Sequence, residues 1–184
     1  MNKSFLFALG IIVFLFSFNV YSEQVYRNSD FQFRIVYPDN WNSVLPKGKN
    51  IKLLIEAPNN TNGCNVFARA NPQEFQDKTQ QEFDEMMEEV IDKTFWLDTL
   101  KVKYSNPYIL DYGKTSLDNM PAFYVKANIS YSALGITIRS TLFEVQLMRR
   151  NFQYALGCMS LVEDYPKYEP SYIMIMSSFV LEDY

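Results

Sequence analysis

Apolar and polar residues alternate at a period of two through much of this chain, which commits it to a strand-rich fold, because that period places one face of a β-strand on a core. The clearest run is Phe123, Val125, Ala127, Ile129 and Tyr131, alternating with Tyr124, Lys126, Asn128 and Ser130. Phe31, Phe33, Ile35 and Tyr37 form an earlier run, stopped by Pro38-Asp39-Asn40. Residues 51–57 and 64–70 read as a hairpin around the turn-forming stretch Pro58-Asn59-Asn60-Thr61-Asn62-Gly63. Further strands are expected at 108–114, 123–131, 136–147 and 152–161, with turns at Asp118-Asn119, at Gly135 and at Arg149-Arg150-Asn151. Within 136–147 the apolar phase passes from Ile136, Ile138 and Leu142 to Phe143, Val145 and Leu147. That switch predicts a β-bulge near Thr141.

The period changes to a helical one in two places. Thr79-x-x-Glu82 has the form of a capping box, and Phe83, Met86, Met87, Val90 and Ile91 follow at helical spacing with carboxylates on the other face. This predicts a helix over 79–93 that packs on the sheet as core. A small apolar ligand held between sheet and helix at Phe83, Met86, Met87 and Val90 is the competing reading. An apolar patch follows at Phe95, Trp96, Leu97 and Leu100, and Glu169-Pro170 opens a final helix carrying Tyr172, Ile175, Met176 and Phe179. The order predicts an α+β fold, a curved antiparallel β-sheet packed against helices.

The N-terminus sets the compartment. Lys3, the apolar stretch from Phe5 to Phe18 and the small residues near Val20 and Ser22 follow the order of a cleavable export signal, so residues 1–22 are read as a leader and 23–184 as one domain. The run is shorter than the roughly 20 residues of a spanning helix, and no second such run occurs. An exported protein, periplasmic or secreted, without stable membrane insertion is therefore expected. Two cysteines, Cys64 and Cys158, both lie in strand-like segments. In an oxidising compartment such a pair is expected to close into a structural disulfide, since redox-active pairs usually sit close together in sequence.

Absences narrow the function. The 17 Lys and Arg are scattered against 21 Asp and Glu, so no concentrated positive field points to nucleic acid. The chain has no histidine, which excludes Ser-His-Asp and Cys-His sets and zinc sites built on histidine pairs. No phosphate-binding glycine loop is present, and no cofactor is expected. The reading is a non-catalytic binding or accessory protein of the periplasm or cell envelope, whose partner is another envelope or secreted protein. A carboxylate-dependent hydrolase without histidine is the enzymatic alternative. The chain's 13 tyrosines support binding, and Tyr104, Tyr108, Tyr112, Tyr124, Tyr165 and Tyr168 fall in loops or on the polar phase of strands, as an interface would use them.

The opening pattern, with Tyr26, Phe31, Phe33, Ile35, Tyr37-Pro38 and then Trp41, resembles the first strands of the PsbP-like superfamily. Leu117-Asp118-Asn119-Met120-Pro121-Ala122 is similar to the turn before its central hairpins, and the closing Ser178-Phe179 matches its last helix. The resemblance implies an antiparallel sheet between helices. It implies no site, because members of the superfamily share a scaffold and not a function, and the histidine among the cation ligands credited to one member has no counterpart here.

Overall fold

The computed structural model describes residues 22–44, 46, 48–58 and 61–182. Apart from Ser22, the expected leader lies outside them. Two antiparallel meanders make one seven-stranded sheet. The first contains β3 (Asn42–Val44), β4 (Ile51–Glu56) and β5 (Gly63–Ala70), and the second β6 (Ser105–Leu117), β7 (Met120–Ala133), β8 (Ile136–Met148) and β9 (Phe152–Leu161). Their order is β3-β4-β5-β9-β8-β7-β6, so the β5–β9 pair alone joins the two halves. A three-stranded sheet is formed by β1 (Glu23–Asn28), β2 (Phe33–Pro38) and β10 (Val180–Leu181).

Turn chemistry sets the second meander. Asp118 and Asn119 have φ of 49° and 60°, and Leu134 and Gly135 have φ of 52° and 78°, the paired positive values that match a tight hairpin to strand twist. On one side of the sheet, α4 (Tyr165–Ser177) and the small sheet enclose a core containing Phe33, Trp41, Tyr154, Tyr172 and Phe179. Ser178 secures the end of α4, its Oγ accepting the Val36 N–H at 2.8 Å. On the other side, α2 (Gln80–Val90) and α3 (Lys93–Lys103) enclose Trp96, Leu100, Val125, Ala127, Ile129 and Leu142.

Several expectations are corrected by the packing. No bulge occurs at Thr141: β8 runs in unbroken register with β7 and β9. Its apolar phase switches because Leu142 serves the helix-hairpin side while Val145 and Leu147 serve the α4 side, so the strand is buried on both faces. The helix expected over 79–93 ends at Val90, and Asp92 caps a second helix by accepting the Phe95 N–H at 2.8 Å. Its capping box is present, and Phe83 and Met87 are buried while Val90 is 51% exposed, because the helix stops there and Ile91 turns inward instead. Phe83, Met87 and Ile91 are the buried part of the stripe, and Met87 and Ile91 join the core under the hairpin. The last helix starts at Tyr165, four residues before Glu169, with Pro166 in its first turn and Pro170 in its interior. The strands β1 and β3 and the short α1 (Gln73–Gln76) were not expected.

Candidate functional site

Cys64 and Cys158 stand directly opposite each other on β5 and β9, with Cα atoms 4.0 Å apart, and are joined by a disulfide. The bond lies on the seam between the two meanders, facing the α4 core.

The six tyrosines divide among three places. Tyr165 is 4% exposed: it begins α4, contributes to the core, and burial pushes its hydroxyl far above the usual tyrosine range. It is therefore no surface anchor, because a helix covers the position that the sequence placed outside. Tyr168, on the next turn, is half-buried and stacks on Tyr172 at 6.4 Å. Tyr104 caps the C-terminus of α3 half-buried, its hydroxyl raised by burial and then by the charge of Glu144. The remaining three lie at the β6 side of the sheet.

Among the described residues β6 has no strand on its outer side. Tyr108, Leu110 and Tyr112 are 68, 46 and 42% exposed along it. A register shift between Ile109 and Asp111 sets Tyr108 beside Asn128 and Tyr112 beside Val125, neighbours of opposite phase on β7. The edge thus carries apolar area on both faces of the sheet. Tyr124 supports it from β7, its hydroxyl donating to Asp111 Oδ2 at 2.9 Å, a bond that raises the tyrosine above its ordinary value. Lys114 is held by Glu88 of α2 at 2.8 Å.

A second feature is a groove of about 860 Å³ beside α4. Trp41 forms its base, edge-on to Tyr168 and Tyr172 with centroids 6.1 Å away in each case. Pro38, Pro58 and Pro170 wall it, and Lys167 stands at the rim with its Nζ 5.1 Å from the Tyr168 ring. Tyr168 thus lines this groove. The signal for the groove in the sequence was Tyr37-Pro38-x-x-Trp41, which also carried the resemblance.

The described residues contain no group of three or more His, Cys, Asp or Glu that could hold a metal ion, and no helix among them is long and apolar enough to cross a membrane.

The fold is an α+β sandwich of the PsbP type, an antiparallel sheet between helical layers. The solution structure of cyanobacterial PsbP (CyanoP) from Synechocystis sp. PCC 6803 matches it with a TM-score of 0.59 and 11% identity, over 96% of this chain and 98% of that one. LpqN, involved in cell envelope biogenesis of Mycobacterium tuberculosis, matches with a TM-score of 0.54 and 15% identity, over 90% and 93% of the two chains. No family model and no curated protein matches the sequence. At these identities the likeness establishes the fold.

Proposed function

We propose that this is an exported, non-catalytic binding protein of the cell envelope or secreted space, which engages an extended segment of another protein along β6. The observation that carries the reading is the row Tyr108, Leu110 and Tyr112 on an outermost strand, exposed by 68, 46 and 42%. An outermost strand offers main-chain donors and acceptors to an added strand, and large side chains on both faces supply contact area around it. The register shifts in β6 and the charges of Asp111 and Lys114 restrict which strand fits, so the edge favours a defined partner over indiscriminate pairing. Export is supported by the leader-like N-terminus and the Cys64–Cys158 bond. The likeness to a protein of envelope biogenesis points the same way.

The test is photocrosslinking in the native envelope fraction, with a photoreactive residue placed at Tyr108 or Tyr112 and, as control, at the exposed Ile173 of α4. A single adduct from the β6 positions that is missing from the control supports the reading. Equal labelling from both faces, or none at β6, sinks it.

A second reading rests on the groove over Trp41, whose apolar walls and single cationic rim suit a small apolar ligand with an acceptor group. Its test is saturable change in Trp41 emission on adding extracted envelope lipids, lost in Trp41→Phe.

A further inference from the structure

The face of the sheet that carries α2 and α3 is only partly covered. Over β6, β7 and β8 the helices bury Ile109, Val125, Ala127 and Leu142, while Leu54, Asn65, Phe67 and Ala155 on β4, β5 and β9 stay half-exposed. At the border lies Gly157, in the interior of β9, with Asn65 of β5 opposite on one side and Glu144 of β8 opposite on the other.

Glycine weakens a strand interior, and where neither backbone nor crowding demands it, it often marks close approach of another group. Neither demand applies here. The φ of Gly157 is outside the left-handed region, and the nearest atoms a Cβ would meet are the Asn65 amide at 3.7 Å and Glu144 Oε2 at 3.8 Å, ordinary contact distances. The missing side chain therefore leaves a notch walled by an amide and a carboxylate.

The carboxylate is the unusual part. Glu144 is only 9% exposed, and among the described residues no Lys or Arg pairs with it. Its Oε1 accepts the Gln146 amide at 2.7 Å, and Gln146 is itself buried. Oε2, on the notch side, has no hydrogen bond among the described residues and stays open to solvent. A carboxylate with no cation beside it and one oxygen left open suits a cationic donor. A hollow of about 170 Å³ shares Asn65 and adds Glu56, and no Lys or Arg lines it.

We propose that the notch over Gly157 binds a small organic cation, a primary ammonium or guanidinium, whose N–H groups donate to Glu144 Oε2 and Asn65 Oδ1. A hard metal ion fits less well, because it needs six or more oxygens and the described residues bring no acidic group of three together here. The site is on a different face from the groove and away from the β6 edge, so its test is independent of the partner reading.

The test is amide NMR of the exported protein, titrated with methylguanidinium and ethylammonium, with tetramethylammonium and calcium as controls. Saturable shifts at the Gly157 amide and the Asn65 and Gln146 side-chain amides are expected from the first pair alone. Glu144→Gln, which keeps the shape and removes the charge, should weaken binding by about tenfold or more. Gly157→Ala fills the notch and should abolish the shifts while leaving the thermal midpoint equal or higher. Should that variant misfold, Glu144→Gln decides alone. Absence of saturable shifts, equal response to tetramethylammonium or calcium, or unchanged titration of both variants would overturn the assignment.

Discussion

Replacing Phe83 with Ala probes how α1 and α2 are held together. Phe83 is 0% exposed and packs against Phe75 of α1 with ring centroids 5.7 Å apart, so it holds two helices in place. Burial of such a side chain contributes about 2.5 kcal/mol. Truncation also leaves a void on the order of 100 Å³, which at about 24 cal/mol per Å³ adds about 2.4 kcal/mol if the surroundings hold still. Partial collapse brings the expected loss to about 4 kcal/mol. With a urea dependence of about 2 kcal/mol per molar, the unfolding midpoint should fall by about 2 M. Val90 provides the control, because it occupies the same helical phase seven residues on yet is 51% exposed. Val90→Ala should change stability by less than about 0.5 kcal/mol. A loss at Phe83 below about 1 kcal/mol, or equal losses at both positions, would refute this account of the contact.

Reducing the Cys64–Cys158 bond opens a loop of sequence separation 94, and by loop entropy should cost about 4.7 kcal/mol, read as a lower urea midpoint in dithiothreitol. Glu82 is held below its ordinary value chiefly by the Thr79 backbone N–H and then by the Thr79 hydroxyl. A depressed carboxyl stabilises the fold above its unfolded value and loses that contribution as pH falls through the folded one. Acid titration of stability should therefore be steeper in the native protein than in Glu82→Gln. Tyr172 is pushed up to about 12, mainly by burial, and its hydroxyl donates to the Met159 carbonyl at 3.0 Å. Its contribution is fully present below the unfolded value near about 10 and is lost as pH rises through the folded one. Tyr172→Phe should shift the alkaline unfolding midpoint upward, as followed by tyrosinate absorbance.

The parts of the fold that could be read from sequence are those where one residue pattern has one structural cause. The alternation from Phe123 to Tyr131 sets one fully buried row, Val125, Ala127 and Ile129, against the helical hairpin, and the Thr79 and Glu82 pair caps a helix whatever packs on it. Reading failed where two causes overlap. In β8 two cores draw on alternate residues, and the resulting change of phase imitates a bulge. In β1 and β3 most side chains are exposed, so no period exists to detect. Pro170 resembles a helix start because proline is favoured there, but Pro166 holds that place and Pro170 sits within the helix. The β6 tyrosines were legible because their phase is polar, whereas Tyr165 was hidden by the misplaced helix start. Asn65, Glu144 and Gly157 gave no signal, since they come together only across three strands.

The position of the disulfide also has a consequence in time. As the chain is made, the first meander emerges with a lone thiol, and nothing within it can serve as the partner of Cys64. The bond can close only after nearly a hundred further residues have followed, and only if β9 inserts between β5 and β8. A slip of one residue in that insertion would turn Cys158 to the opposite face and leave both thiols free. Oxidation thus works as a covalent record that the two halves of the sheet met in the correct register, one that a thiol-trapping pulse could time against folding.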